Sequence, residues 1–226
     1  MSIVFKIIYK NFKKHLLFFY INVIIGIKQG KGVIKMGGNT NDYTKFFETQ
    51  NGKCNLPTWN ELPDIDVYMD QVITLINKYI GGIAPYGDTL LTPSMINNYV
   101  KNGILPCPVK KRYSRTHLSR LIIICLLKPV LSITAIGTLI DFLLETRTEE
   151  EVLNFFCKHY KETFASTTES LSSYTQNESV SDNSATEILS FAAMHAAVIA
   201  SGSKFLSENA LGEIRRLGCT QEESSN

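Results

Sequence analysis

The sequence lacks the short motifs that mark most enzymes and metal proteins. It has no G-x-S-x-G, no phosphate-binding loop, no dinucleotide-binding glycine pattern and no H-E-x-x-H. Its five cysteines are odd in number and contain no C-x-x-C pair, which argues against a disulfide scaffold and a zinc ribbon. We therefore expect no catalytic activity, no metal and no cofactor. Free thiols point to a cytoplasmic protein.

Proline and charged residues are also too scarce for a fibrous or disordered chain. The 226 residues include seven prolines and fourteen glycines, and only 19% are charged while 44% are hydrophobic. A chain of this length can bury a core without staples. The composition indicates one ordinary globular domain with additional segments.

Acidic residues are absent from two long stretches. Residues 1–35 and residues 89–140 each carry seven Lys or Arg and no Asp or Glu, whereas residues 36–88 and 141–226 are acidic. The net charge of +2 hides this division. A basic, acid-free stretch inside a folded region suggests a polyanionic partner, and an ordinary solvated face is the alternative.

The first 35 residues form a doubtful extension. An apolar run at residues 16–27 follows four lysines, as in a signal sequence, but it is shorter than the roughly 20 residues of a membrane span and no cleavage site follows. The codons of Lys31-Gly32-Val33 can read as a ribosome-binding sequence just before Met36. We expect Met36 to be the true start. A membrane-surface anchor and an ordinary helix are the alternatives, and a membrane partner is expected only if this segment is real.

Apolar residues at steps of three and four predict a series of helices after a flexible leader at residues 36–58, which itself has one helical turn at residues 43–47. The first helix opens at Asp64 and ends at Gly81-Gly82. Thr92-Pro93 is a strong start for the next helix, over residues 94–101. Two more are predicted over residues 115–128 and 132–145.

The helix at residues 94–101 displays a polar face made of Ser94, Asn97, Asn98 and Lys101. Asparagine is a poor helix former, so two adjacent ones need a reason, and asparagine can read adenine in a major groove. An ordinary polar surface is the alternative. Prolines then force an extended chain, and the run Lys110-Lys111-Arg112 lies between Val109 and Tyr113. This pattern predicts a very short hairpin, or wing, with a basic tip.

Residues 91–141 resemble the MerR-type winged helix-turn-helix. Tyr99-Val100-Lys101-Asn102-Gly103-Ile104-Leu105 matches the family's Tyr-x-x-x-Gly-Leu-Leu, and a Pro-bearing basic wing with Tyr113-Ser114 follows. Two later helices have the family's leucine and "Ser-Ile-x-x-Ile" spacings, here at Leu118, Leu121, Ser132, Ile133 and Ile136. From Leu62 onward, the chain resembles more closely an uncharacterised bacterial family known as a domain of unknown function, whose members are often described as MerR-like.

The resemblance implies a mainly α fold: a winged helix-turn-helix with a very short wing, followed by C-terminal helices. It also implies a DNA-binding transcriptional regulator, a homodimer that reads a palindromic operator in double-stranded DNA. A noncatalytic protein-interaction module of the same fold is the alternative. Ser94 and Asn97 stand where the family often has Arg, and the wing lacks a glycine turn. The expected DNA-binding residues are Ser94, Asn97, Asn98, Lys101, Lys110, Lys111, Arg112, Tyr113 and Arg115.

The remaining sequence divides into further segments around the expected DNA-binding domain at residues 59–146. We expect an acidic helix at 147–164, a flexible linker at 165–186, an Ala-rich helix at 187–211 and a tail at 212–226. The linker is inferred from eleven Ser or Thr among residues 166–186. Ala192, Ala196 and Ala200 lie four residues apart, which favours a helical hairpin or a dimer seam, with a membrane helix as runner-up.

Overall fold

A computed structural model describes residues 46–47, 49–84, 89–177 and 185–223. These residues lie within one compact unit that spans residues 39–177 and 184–226. The expected extension at residues 1–35, and residues 36–45 and 48 of the leader, lie outside the described residues. The described chain is mainly helical, which confirms the predicted fold class at this level, and its β-pairing is confined to two isolated bridges.

Six helices organise the described chain. Short 3₁₀ turns lie at Trp59–Glu61 and Gly81–Ile83, and residues 46–51 include a short helical stretch. Thr92 and Ser132 cap two of the helices as predicted, because their hydroxyl oxygens accept from the backbone N–H of Met95 and Ala135, each at 3.2 Å. The helices are α1 Met69–Ile80, α2 Pro93–Lys101, α3 Arg115–Leu127, α4 Ile133–Leu144, α5 Glu149–Asn177 and α6 Ala185–Glu223.

The predicted opening of the first helix at Asp64 is wrong, because α1 begins five residues later, at Met69. The preceding chain is extended and pairs with the segment after the basic run. The backbones of Val67 and Tyr113 exchange two hydrogen bonds, with N–O distances of 2.9 and 2.8 Å. Both side chains are buried, and buried backbone groups need hydrogen-bond partners. The pairing provides those partners, whereas the first turn of a helix would leave its N–H groups without them.

Helix α3 is the centre of the core. Eight of its thirteen residues are buried, and it contacts α1, α4 and α5. A helix that is apolar on all sides needs neighbours on all sides. The surrounding helices supply them with fully buried residues such as Ile76 of α1, Ile96 of α2, Ile136 of α4 and Leu153 of α5. This packing holds α2 and the turn after it on the surface of the same core.

The flexible linker predicted to begin at residue 165 is instead helical as far as Asn177. The hydroxyls of Thr167, Thr168 and Ser172 donate to carbonyl oxygens one turn earlier, at 2.8, 2.7 and 3.0 Å. Thr168, Ser172 and Leu171 are also buried. The linker was predicted from the Ser and Thr composition alone. Composition shows neither that the hydroxyls can bond within a helix nor that the segment is buried by other parts of the chain. Of the predicted linker, residues 178–184 lie outside the described residues.

The small-residue face of α6 packs within the chain. Helices α5 and α6 contact each other as a hairpin, and Ala192, only 1% exposed, packs with Phe47 and Leu171. Leu211 further along α6 joins the main core. Of the two expectations for the alanine repeat, the structure shows the hairpin. Helix α6 also runs to Glu223, so most of the expected tail is helical.

Candidate nucleic-acid interface

Helix α2 presents one polar face to solvent. Ile96 and Tyr99 are buried in the core, whereas Ser94, Asn97 and Asn98 are exposed, as is Lys101 one turn later. Asn98 is already engaged, because its Oδ1 accepts from Nδ2 of Asn102 at 3.1 Å. The side chain of Asn97 makes no hydrogen bond with any described residue. Its amide is therefore the one on this face that is free to meet an external partner.

The end of α2 directs the chain toward the basic run. Gly103 has φ of 73°, a conformation that strains residues with a Cβ. The N–H of Ile104 donates to the carbonyl of Tyr99 and the N–H of Gly103 to that of Val100, each at 3.0 Å. These two bonds make a Schellman motif, which ends the helix and reverses the chain. The following prolines keep it extended up to Val109.

The basic run forms a tight two-residue turn. The N–H of Arg112 donates to the carbonyl of Val109 at 2.9 Å, and the two residues form an antiparallel bridge. Between them, Lys110 and Lys111 have φ of 51° and 62°. Positive φ at both central residues is the pattern of a type I′ turn, which normally carries Asn and Gly. Here two exposed lysines occupy those strained positions.

Two arginines beside the turn are held by neighbouring side chains. The guanidinium of Arg112 lies 4.9 Å from the ring centroid of Tyr68 and donates to its hydroxyl at 3.0 Å. Arg115 lies over the ring of Trp59 and donates to a carboxylate oxygen of Asp64 at 2.9 Å. Both arginines were among the residues expected to contact DNA. The structure instead brings each to a protein partner that orients it.

Several cations of the acid-free basic stretch are engaged by acids, hydroxyls or carbonyls from elsewhere in the chain. Arg120 donates two hydrogen bonds to Oε1 of Glu149, at 2.7 and 2.9 Å, and Lys128 donates to the carbonyl of Leu90 at 2.7 Å. Of the seven cations at residues 89–140, three have neither an ion pair nor a hydrogen bond within the described residues. These three are Lys101, Lys110 and Lys111.

Tyr113 belongs to the core rather than to the surface. Its side chain is only 2% exposed, its ring meets that of His117 edge-to-face at 5.3 Å, and burial raises the pKa of its hydroxyl. It therefore supports the turn from below and leaves the set of expected DNA contacts. His117 in turn accepts the N–H of Ser114 at Nδ1, at 3.0 Å, and burial lowers the pKa of its imidazole. The neutral ring thus caps the start of α3.

A groove of about 740 Å³ separates α2 from the turn. Asn97 of α2, Lys111 of the turn and Asp70 of α1 all line it. Aromatic and aliphatic side chains make up most of the remaining wall. They are Tyr68, Met69, Ile73, Pro93, Pro108 and Tyr113. The amide of Asn97 and the ammonium of Lys111 therefore both border one concave surface.

This surface lies within a recognised domain. Residues 57–166 match the family model of DUF1836, a domain of unknown function. The match confirms the expected resemblance to a domain-of-unknown-function family, and the MerR-like relationship is a separate proposal, taken up below. No curated protein and no solved structure matches the chain. All of the expected DNA-binding residues, and the groove with them, fall within the DUF1836 match.

Sequence reasoning missed the residues that hold the arginines. Asp64 was assigned to a helix start, yet it forms an ion pair with Arg115, and Tyr68 was assigned no function. Asp70, in the first turn of α1, lines the groove. A signal did exist in the sequence, because three acids lie within seven residues beside an acid-free basic stretch. What the pattern could not supply was which acid meets which cation.

Proposed function

We propose that this protein is a DNA-binding transcriptional regulator of the MerR-like winged helix-turn-helix type. Helix α2 enters the major groove of double-stranded DNA, and the turn at Val109–Arg112 is the wing. The exposed polar face of α2 and the cationic turn flank a single groove, which supports this arrangement. No catalytic step, metal or cofactor is part of the proposal.

The observation that carries the proposal is the pair of strained lysines. A residue with a Cβ in the left-handed region costs about 1–2 kcal/mol, and Lys110 and Lys111 both lie there. Asn-Gly at these positions would form the same turn without that cost. Backbone strain of this kind concentrates at functional sites. Two adjacent positive charges at an exposed tip are suited to backbone phosphates.

The other residues have graded roles. Asn97 reads a base edge, because its amide is free, and Ser94 and Lys101 extend the same face toward the DNA. Asn98, bonded to Asn102, has less capacity for a bidentate contact. Arg112 and Arg115 are held by Tyr68 and Asp64, so they position the turn and add to the local positive potential.

A palindromic operator has two half-sites and therefore requires two copies of the DNA-binding domain. Half-sites read by a dimer lie one helical turn apart, about 34–36 Å, or a multiple of that distance. We therefore propose a homodimer on DNA. Selection of bound genomic fragments, followed by inspection for inverted repeats, tests this proposal. Bound fragments that share no repeated half-site would contradict it.

The sharpest test of the wing replaces its charges without disturbing its backbone. Lys110→Asn with Lys111→Gly keeps the turn type and relieves the backbone strain. The free energy of unfolding of this variant should therefore be about 1–3 kcal/mol higher than that of the parent. Its DNA affinity should nevertheless fall on every sequence. The slope of log affinity against log salt should decrease by about 0.9 for each lost phosphate contact. Titrations at several salt concentrations and urea unfolding measure both quantities.

A matched control keeps the charge and the strain. Lys110→Arg with Lys111→Arg should retain the affinity and the salt slope of the parent. If the Asn-Gly variant binds DNA like the parent, the wing has no role in binding DNA.

Asn97→Ala tests sequence reading separately from phosphate contact. It should cost about 1–3 kcal/mol on the selected operator and little on random DNA, because base contacts carry specificity and phosphate contacts do not. Asn98→Ala is the comparison on the same helix face, and we expect it to have a smaller effect. Equal losses of Asn97→Ala on operator and random DNA would remove the proposed base contact.

One observation favours a noncatalytic interaction module as the second candidate. Asp70 lines the same groove as Lys111, and a carboxylate there would repel a phosphate chain. Most of the groove wall is apolar or aromatic, as in peptide-binding surfaces. Asp70→Asn should strengthen DNA binding if the DNA backbone follows the groove. If that variant leaves DNA binding unchanged and the wing variant does too, the interaction module is the better function.

A further inference from the structure

The groove between α2 and the turn has apolar walls that DNA binding does not explain. Its volume of about 740 Å³ is within the range of small-molecule sites, and most of its lining side chains are apolar or aromatic. A phosphate backbone gains little from such walls, because phosphates bind cations and hydrogen-bond donors. The proposed DNA contacts use only Asn97 and Lys111 of the residues that line the groove, and they leave the apolar walls without a role.

Three polar side chains in the groove have no partner within the part of the chain that the structure describes. They are the carboxylate of Asp70, the amide of Asn97 and the ammonium of Lys111, and none of them forms a side-chain hydrogen bond or an ion pair there. Asp70 and Lys111 therefore do not neutralise each other, although they line the same concavity. A few uncommitted polar groups on an apolar surface are the features that orient a bound small molecule.

The charges and the walls of the groove together indicate the class of ligand. A cationic group complements Asp70, an anionic group complements Lys111, and a carbonyl or an N–H complements the amide of Asn97. The ring of Tyr68 and the thioether of Met69 favour an aromatic body, which packs well against other rings and against sulfur. A zwitterion with an aromatic side chain carries all of these groups.

We propose that the groove binds an aromatic zwitterion, either a free α-amino acid or a short peptide that contains one, and that this ligand competes with DNA. The competition rests on the proposed function, because it assumes that Asn97 and Lys111 contact DNA. A ligand that engages these two side chains makes them unavailable to a base edge and to a phosphate. The ligand and DNA therefore weaken each other's binding by the same factor, since coupling between two binding events is reciprocal. The protein thus releases its operator when the ligand is abundant.

Calorimetric titration of the full chain without DNA tests the site, with L-phenylalanine and the tripeptide Ala-Phe-Ala as the probes. At least one probe should bind with a dissociation constant of about 1 mM or lower, which is ordinary for a ligand of this size. Acetylation of the amine or amidation of the carboxylate removes one charge from either probe. Each of these changes should weaken binding at least about tenfold, because it removes a charge-assisted hydrogen bond. Failure of both probes to bind, or equal binding of the intact and the blocked forms, would overturn the proposal.

Asp70→Asn identifies the carboxylate that holds the ammonium group of the probe. The variant should bind the intact probe about tenfold more weakly than the parent does, and it should no longer distinguish the intact probe from its acetylated form. Asp66→Asn is the matched control, because it removes an exposed acid four residues earlier that does not line the groove, and it should bind the probes like the parent. Both positions are solvent-exposed, so circular dichroism should show unchanged helix content. Equal affinities of Asp70→Asn and the parent for the intact probe would remove Asp70 from the site and overturn the zwitterion.

Titration of the selected operator in the presence of the probe separates this inference from the DNA-binding proposal. A saturating concentration of the probe should lower the affinity of the parent for DNA at least about fivefold, as for typical coupled sites. At the same concentration, DNA binding by Asp70→Asn should change less. If the chain binds both the probe and DNA without competition, the regulatory role of the ligand is wrong and the DNA-binding proposal stands. If the chain binds the probe and no DNA, the DNA-binding proposal fails and the ligand site stands.

Discussion

At the scale of single residues, the strained turn at Lys110-Lys111 rests on two buried side chains. Lys110 and Lys111 occupy left-handed conformations at the exposed tip, while Tyr113 and His117 pack below them. Nδ1 of His117 accepts the N–H of Ser114, so the ring must be neutral, with its proton on Nε2. The imidazole thus takes the position of the Glu or Gln in a capping box. The base of the turn therefore depends on the charge of one side chain.

His117 should make stability depend on pH. Burial lowers the pKa of its imidazole in the folded state, so the unfolded chain binds a proton more readily. The free energy of unfolding should therefore fall as the pH drops below the unfolded value near 6.5, and it should continue to fall down to the lowered folded pKa. His117→Gln preserves a capping acceptor without a titrating ring.

Urea unfolding between pH 8 and pH 5 measures this effect. The parent and His117→Gln should differ least at pH 8, and the parent should lose more stability on acidification. Parallel pH profiles of the two proteins would show that the His117 ring does not govern this part of the acid response.

At the scale of elements, the end of α2 depends on one glycine. Gly103 adopts φ of 73° and leads into the turn through a Schellman motif. Gly103→Ala meets no steric obstacle, because no atom lies within 4 Å of the added Cβ, yet its backbone conformation is strained. The variant should lose about 1–2 kcal/mol of stability. Chemical unfolding of the purified protein measures the loss.

Gly81→Ala is the matched control for this element. It also has open space around the added Cβ, but its φ is −61°, which alanine adopts freely. We expect it to be neutral or to stabilise the fold by a few tenths of a kcal/mol, since alanine restricts the unfolded chain. Equal destabilisation by the two substitutions would mean that the positive φ of Gly103 does not set the cost of Gly103→Ala.

At the scale of the whole molecule, one ion pair joins the candidate interface to the long C-terminal helices. Arg120 of α3 bonds to Glu149 at the start of α5 and also donates to the carbonyl of Ile104 at 3.3 Å. The two side chains are only 14% and 21% exposed. Such a pair is weakly screened by solvent, and loss of one partner leaves the other without compensation.

Glu149→Gln should lower the free energy of unfolding by about 1–3 kcal/mol, because it leaves a half-buried guanidinium without its carboxylate. Glu150→Gln removes an exposed charge from the same helical turn, so it controls for the helix dipole. We expect a loss of at most about 1 kcal/mol from it. Unfolding curves for the two variants under identical salt conditions compare them, and equal losses would contradict a specific role for the Arg120 pair.

Local sequence determined the helices and their caps. Thr92-Pro93, Asn102-Gly103 and Ser132 mark helix ends through bonds between residues at most five apart, and the structure places those ends within one residue of the prediction. The basic turn was likewise readable, because the prolines and Val109 and Tyr113 confine the three cations to a short connection. The polar face of α2 follows from its helical spacing alone.

Only the tertiary structure decided which charges remain free and which apolar faces are covered. Asp64 and Glu149 reach Arg115 and Arg120 from 51 and 29 residues away, and no local pattern encodes such pairings. Val67 pairs with Tyr113 and so displaces the start of α1, while burial against α6 keeps the Ser/Thr-rich end of α5 helical. Ala192 of α6 packs within the chain, whereas Phe191, Met194, Val198 and Phe205 of the same helix remain exposed. Burial and ion pairing are properties of neighbours in space, and the order of residues along the chain specifies those neighbours only through the complete fold.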